Sequence, residues 1–271
     1  MKKILLPSDF SKNSEASAIY AAHLAKALNA QIDIAHVSHL ISQTGIYEAA
    51  HKIAENTMRK KLHRLALGME KTIQGDLVFD TLLLTGSTTD ALSSILSHYD
   101  LVIMSAKGTL DLDRFFLGST TKYLIQQNKV PILVVPPQYK YTSIQTIVWA
   151  LDDHVLQTNK QIHPLVSIAH HFSAKLEIFH QDEGQKDEGL LLDLAIFLEE
   201  LNYSVHYNFD QSTITDAILH FAEETAAQLI CMIHHQRHPL FQVFNPSKTL
   251  QSIAKSKIPI LVLPQLDQKG A

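Results

Sequence analysis

The sequence predicts an α/β protein made of two doubly wound sandwiches, each with a five-stranded parallel sheet flanked by about four helices. Short apolar runs alternate with amphipathic helical stretches, which is the pattern of strands buried on both faces between layers of helices. The same pattern occurs a second time, in the same order, in the other half of the chain. We therefore expect two copies of one fold.

The predicted elements of the first half alternate strictly. "KKILLPS" is an apolar run typical of a buried strand, and "SEASAIYAAHLAKALNA" has the apolar stripe of a helix, with Ser11 or Ser14 as candidate N-cap. The elements that follow are the strand "QIDIAHV", the helix "EAAHKIAENTMRKKLHRLALGMEKT", the strand "VFDTLLLT", the helix "TTDALSSILSHY", the strand "DLVIMSA", the helix "TTKYLIQQN" and the strand "VPILVVP".

Four pairs of segments match between the halves. In chain order they are "KILLPSDFS" with "TIVWALDDH", "TTDALSSIL" with "ITDAILHFA", "YDLVIM" with "AQLICM", and "PILVVP" with "PILVLP". Matches in the same order indicate a duplication, so we predict domains at 1–138 and 144–266. The segment "PPQYKYTSIQ" at 136–145 is the natural linker, because its prolines and polar residues break both periodicities.

Composition narrows the function classes. The chain has 271 residues, of which 46% are hydrophobic and 18% charged, which is an ordinary globular balance. The net charge of -4, with no basic stripe, predicts no nucleic-acid partner, and no apolar run is long enough to predict a membrane span. The single cysteine, Cys231, lies in the apolar run "LICMI". It is expected to be buried in the core, and a reduced, cytoplasmic setting fits.

Residues that follow the strands are the candidate ligand contacts, because doubly wound sheets bind ligands at the carboxyl ends of their strands. Asp9 lies just past the first strand, where its carboxylate could accept hydrogen bonds from a ribose hydroxyl or an exocyclic amine. The alternative is that Asp9 caps the following helix. Val37 ends the second strand and would form either an apolar wall for a flat ring or simple core packing.

The segment "SAKGTLDLDRFFLGSTT" suggests an anion site. Gly118, Ser119 and Thr120 precede a helix, whose free N–H groups and dipole favour an anion, and glycine allows close approach to the backbone. A plain Ser/Thr cap with a glycine turn is the alternative. Gly108 begins the loop that returns to Gly118, and this loop could close over a phosphate chain. The segment is neither a Walker A loop nor a Gly-x-Gly-x-x-Gly fingerprint.

With these motifs, the chain resembles a tandem universal stress protein over essentially its whole length, twice. Nucleotide-binding members of that family carry Gly-x2-Gly-x9-Gly-Ser/Thr, and here the frame is Ser105-x2-Gly108-x9-Gly118-Ser119. The segment "PSDFS" matches the signature that follows the family's first strand, and "VPILVVP" matches its closing strand. The resemblance implies an adenine-nucleotide α-hydrolase-like fold.

The resemblance also implies a ligand, ATP, with Mg²⁺ bridging its phosphates. Asp9 and Val37 would hold adenine and ribose, while the glycines and hydroxyls of the anion segment would hold the phosphates. Ser105 replaces a glycine, and its side chain would either obstruct the phosphates or donate to them. The residues expected at the site are Pro7, Ser8, Asp9, Phe10, Val37, Met104, Ser105, Gly108, Gly118, Ser119 and Thr120.

The second half departs from this motif. Asp152 keeps the position of Asp9, but Gln236 and Pro246 stand where the first half has Gly108 and Gly118. Proline removes a donor N–H at the anion site, so we expect a degenerate partner.

The two apolar closing strands predict how the halves meet. Each closing strand would lie at an edge of its sheet and leave that edge unpaired. Single-domain members of the family that the chain resembles dimerise through this strand. We therefore expect an intramolecular pseudo-dimer, with a homodimer also possible.

The sequence also has 16 histidines, among them His234, His235 and His238 in "HHQRH". Their spacing is compatible with a metal site on a loop. We expect no metal there, because no cysteine or carboxylate lies close in sequence.

Three functions follow from these observations. The first is a stress-response protein that binds ATP in its first half and acts as a nucleotide-dependent regulator or sensor. No catalytic residue is predicted, and any ATP hydrolysis would be slow because no general base stands out. The second is an adaptor that binds no nucleotide, or a carrier of another ligand in the second half. The third, an adenylate-transferring enzyme, is disfavoured because "PSDFSKNS" lacks glycine.

Overall fold

The computed structural model covers most of both halves. It describes residues 1–38, 48–108, 115–127, 129–137, 139–151, 159–181, 198–208, 213–234, 253 and 255–265. Five positions discussed above, namely Asp152, His235, Gln236, His238 and Pro246, lie outside the described residues.

One ten-stranded sheet runs through both halves. Its strands are β1 (Lys3–Pro7), β2 (Gln31–Ser38), β3 (Phe79–Thr85), β4 (Leu101–Ser105), β7 (Ile132–Val135), β8 (Thr146–Leu151), β9 (Lys175–Gln181), β10 (Tyr203–Asn208), β11 (Leu229–His234) and β12 (Ile260–Pro264). Two short strands, β5 (Lys107–Gly108) and β6 (Phe115–Phe116), form a separate antiparallel hairpin.

Both halves have the same strand order. It is β3-β2-β1-β4-β7 in the first and β10-β9-β8-β11-β12 in the second, with every pair inside a half parallel. The halves join where β7 pairs with β12 in antiparallel register, Leu133 opposite Leu261. The predicted α/β class with doubly wound sheets is confirmed. This pairing is the contact that a pseudo-dimer would use, and association of separate halves stays a prediction.

Helices cover the two faces of the sheet. Those described are α1 (Lys12–Leu28), α2 (Glu48–Ile73), α3 (Thr88–Ser93), α4 (Ser119–Gln127), α5 (Asn159–Phe172) and α6 (Ile214–Glu224). Burial of strand residues on both faces explains the continuous apolar runs: in β1, Ile4, Leu5 and Leu6 are all fully buried. Ile4 and Leu6 belong to the core cluster on one face, and Leu5 belongs to the cluster on the other.

The helix predicted over 88–99 is shorter in the structure. It ends at Ser93, and a 3₁₀ turn follows at Leu96–His98. Leu96 and Tyr99 are both buried, and the Tyr99 hydroxyl donates to a carboxylate oxygen of Asp33 at 2.8 Å. These tertiary contacts direct the chain away from the helix and towards the start of β4. The end of the helix is therefore set by packing and not by helical propensity alone.

The linker between the halves packs against α1. Tyr139 and Tyr141 contact Tyr20, with ring centroids 5.9 and 5.3 Å apart, and Tyr141 stacks on His23 at 4.3 Å. Cys231 is buried, as predicted. Within the described ranges, no helix combines the length and apolar character that a bilayer span needs.

Candidate functional site

A pocket of about 490 Å³ opens at the carboxyl ends of β1, β2 and β4. This is the topological switch point of the first half. The strand β1 lies between β2 and β4, so the sheet is extended in opposite directions from β1 by the two parts of the chain that follow it. Most residues predicted at the site line this pocket: Pro7, Ser8, Asp9, Val37, Met104, Ser105, Gly118, Ser119 and Thr120.

The turn after β1 presents Asp9. The Ser11 N–H donates to Asp9 Oδ1 at 3.0 Å, and the Phe10 N–H donates to Ser8 Oγ at 3.1 Å. The cap of α1 is Ser11, whose side chain accepts from the Ser14 N–H. The alternative in which Asp9 caps the helix is therefore wrong, and Asp9 lies two residues before the cap, in the lining of the pocket.

The Asp9 carboxyl is held in its charged form. Partial burial raises its pKa, but hydrogen bonds from Ser11 and Ser14 outweigh this effect, so the pKa lies below its usual value. An ionised carboxylate only accepts hydrogen bonds. This end of the pocket therefore suits a ligand group that carries donors.

Phe10 does not line the described pocket. Its ring packs against that of His36, with centroids 4.5 Å apart, and the Lys61 ammonium lies 5.5 Å from the Phe10 ring. His36 does line the pocket, and its Nδ1 lies 2.8 Å from the Ser8 carbonyl oxygen. Phe10 thus contacts a residue of the pocket wall.

Part of the pocket lining is apolar. Val37 and Met104 come from the strands and Leu92 comes from α3, and all three belong to the buried cluster on this face of the sheet. Ala54 and Met58 of α2 complete the wall. A flat apolar ring could lie against these side chains.

The N-terminus of α4 also lines the pocket. Gly118 is buried and its carbonyl accepts from the Lys122 N–H at 2.9 Å, so the first helical hydrogen bond closes on it. The N–H groups of the first turn lack an intrahelical acceptor by geometry, and here they belong to pocket residues. Gly108 lies in β5, paired with Phe115 of β6. The loop residues between these strands lie outside the described part.

Sequence reasoning missed part of the lining. The missed residues are Ser14, Ala35, His36, Ser38, Ala54, Met58, Thr88, Leu92 and Thr121. The α2 and α3 contributions depend on how helices cross the sheet, which no strand-end motif encodes. His36 had a signal in the sequence, because His180 holds the equivalent position near the end of β9 in the second half.

No group of three or more histidine, cysteine or acidic side chains in the described residues is arranged to hold a metal ion. Of the "HHQRH" histidines, only His234 belongs to the described part, where it ends β11.

Known proteins resemble this chain over its whole length. Universal stress protein Slr1230 of Synechocystis sp. is 24% identical, with 96% of this chain and 99% of that protein aligned. A universal stress protein from Archaeoglobus fulgidus DSM 4304 has a similar structure, with a TM-score of 0.79, 20% identity, and coverage of 96% of this chain and 97% of that chain.

The fold extends to proteins of other kinds. The cytoplasmic domain of a prokaryotic cation chloride cotransporter matches with a TM-score of 0.56 and 9% identity, covering 97% of this chain and 95% of that chain. Fold alone therefore does not decide function. The sequence model of the universal stress protein family matches residues 1–136. This chain belongs to the universal stress protein family, whose role lies in the response to stress.

Proposed function

We propose that the first half binds ATP with Mg²⁺ and that the protein acts as a nucleotide-dependent regulator or sensor. The polarity of the pocket carries this proposal. The lining combines an ionised carboxylate, Asp9, with apolar side chains and the N-terminus of α4. A nucleotide carries a group complementary to each of these: donors on base and ribose, a flat ring, and an anionic tail.

The nucleoside end fits the Asp9 side. Its carboxylate accepts from ribose hydroxyls or an exocyclic amine, and Val37 and Met104 offer apolar surface to the ring. The volume of about 490 Å³ lies within the usual range of small-molecule sites.

The phosphate end fits the α4 side. Anions bind favourably where first-turn N–H groups and the helix dipole point at them. Ser119 and Thr120 add hydroxyl donors there. Among the described lining residues the one carboxylate is Asp9, so Mg²⁺ would take most of its oxygen ligands from phosphates and water, as it often does.

A second role, as carrier of another ligand or as adaptor, is favoured for the second half. Leu151 and the buried Ile233 stand where the first half has Ser8 and Ser105. Two hydroxyls of the pocket edge are thus replaced by apolar side chains.

Calorimetric titration of the full chain with ATP in Mg²⁺ tests the proposal. We expect one site per chain, and an adenine nucleotide found by mass spectrometry after denaturation would support it further. Two sites would show that the second half also binds ATP. Absence of binding would favour the adaptor role.

A further inference from the structure

We propose that His36 is a positioning residue for the nucleotide site, which fixes the direction of the Asp9 carboxylate without itself being an anion ligand. The inference rests on the proposed function of the pocket. His36 contacts both neighbours of Asp9, through a hydrogen bond to Ser8 and a ring contact to Phe10.

The end of β2 holds Ser8 by both of its backbone groups. The Ser8 N–H donates to the Ala35 carbonyl at 2.8 Å, and the His36 Nδ1 lies 2.8 Å from the Ser8 carbonyl oxygen. A carbonyl oxygen only accepts, so Nδ1 carries the proton of this bond. Ala35 therefore holds the peptide plane between Pro7 and Ser8, and His36 holds the plane between Ser8 and Asp9.

The residue after Asp9 is held by the same histidine. Phe10 has a φ of 59°, in the left-handed region that non-glycine residues seldom adopt. A conformation of this kind persists only where the surroundings support it. Here the support is the contact between the Phe10 and His36 rings, together with the hydrogen bond from the Phe10 N–H to Ser8 Oγ.

Asp9 thus lies between two residues that His36 fixes. Its carboxylate is locked in turn by the Ser11 N–H, which donates to Oδ1 at 3.0 Å. Loss of the His36 donor would leave the Ser8 carbonyl without this partner and free the peptide to rotate. The carboxylate would then spend less time in the direction that a ligand needs.

The second half supplies a matched control. His180 has the equivalent place at the end of β9, and its Nδ1 lies 3.3 Å from the Leu151 carbonyl oxygen. Leu151 stands where the first half has Ser8 and has no hydroxyl. His180 therefore contacts the end of the first strand as His36 does, but beside a turn that lacks this serine. A substitution at His180 reports the general structural cost of losing such a histidine.

The experiment compares three variants of the full chain. His36→Phe keeps a ring but removes the donor, His36→Asn restores a side-chain N–H donor near the place of Nδ1, and His180→Phe is the control. ATP affinity is measured in Mg²⁺, and hydrogen exchange of the Ser11 amide is measured by NMR without ligand. If His36→Phe fails to fold, His36→Leu serves as a smaller variant without a donor.

We expect His36→Phe to weaken ATP binding roughly tenfold and to speed Ser11 exchange by a similar factor, as for the loss of one hydrogen bond. His36→Asn should recover most of both effects, and His180→Phe should change neither by more than about twofold. In an Asp9→Ala background, His36→Phe should weaken ATP binding little further, because both changes act through one carboxylate.

Additive losses in the double variant would overturn the proposal, since His36 would then act independently of Asp9. Unchanged Ser11 exchange in His36→Phe would overturn it as well. A wild-type chain that binds no ATP would instead refute the proposed function. In that case Ser11 exchange alone still decides whether His36 positions the turn.

Discussion

The two halves share a scaffold and differ at the edge where the pocket forms. Each has a histidine at the end of its second strand, hydrogen-bonded to the end of its first strand. After α1 and α5 the chain passes through left-handed residues, Asn29 and Ser173, with φ of 50° and 49°. These features fix the backbone, and both copies keep them.

Each half also buries a carboxylate on its second strand. Asp33 pairs with Lys3 at 2.8 Å, and Glu177 pairs with Lys175 at 2.6 Å. Burial raises the pKa of Glu177, but Lys175 and His206 lower it by more. An ion pair between a buried carboxylate and a lysine is therefore common to both halves. A further partner of the carboxylate differs: it is Tyr99 in the first half and His206 in the second.

The difference lies in the hydroxyls of the pocket. Ser8 and Ser105 of the first half correspond to Leu151 and Ile233 of the second. Core and backbone constraints are thus separable from the constraints of a binding site. Divergence has reached these two hydroxyl positions and left the shared backbone features, which leads to the following tests.

Separating the halves should have the largest effect. A chain of residues 1–140 would expose β7, whose four residues are all buried, as an unpaired apolar edge. We expect this half to dimerise or aggregate in sedimentation experiments. A well-behaved monomer at high concentration would contradict the idea that the β7–β12 contact holds a pseudo-dimer together.

Gly118→Pro should abolish ATP binding. It copies Pro246 of the second half, removes an N–H at the anion end of the pocket and restricts the preceding residue. Titration calorimetry should show a loss of about 100-fold or more. Gly118→Ala keeps the N–H and is the matched control. Equal affinity in the proline variant would mean that the α4 N-terminus does not bind the anion.

Asp9→Ala should weaken ATP binding by about 10- to 100-fold, because a charge-assisted hydrogen bond to the ligand is lost. The melting temperature should change little, since α1 is capped by Ser11. The same change at Asp152 is the control in the second half, and we expect ATP affinity to stay within about twofold. A full effect at Asp152 and none at Asp9 would reverse the assignment of the halves.

Most of this fold could be predicted from the sequence, because hydrophobic periodicity is a local signal and the duplication is visible as matching segments in the two halves. The course of the chain after Ser93 could not, since it depends on the burial of Leu96 and Tyr99 against distant strands. The same holds for the pocket. Asp9 follows from a strand-end motif and Gly118 from a helix-start motif, whereas Met58 enters the lining through the packing of α2 across the sheet.

Ser105 should give the smallest effect and the sharpest comparison. It lines the pocket, and Ile233 occupies its place in the second half. If the Ser105 side chain obstructs the phosphates, the Ser105→Gly variant should bind ATP more tightly. If the Ser105 hydroxyl donates to a phosphate, the same variant should bind ATP equally or more weakly, by up to about tenfold.

We expect the second result for Ser105, because Gly108, Gly118 and Ser119 all persist around it, whereas the second half shows a motif in which the glycines are gone. Ser105→Ala separates the two effects, since it removes the hydroxyl but keeps Cβ. If the hydroxyl donates, alanine and glycine should weaken ATP binding alike in a calorimetric titration. Ser105→Ile, which copies the second half, should weaken it further by adding bulk. If Ser105→Gly binds ATP more tightly than the wild type and Ser105→Ala binds it equally, the serine side chain is an obstruction. ATP would then be a poor match for the pocket.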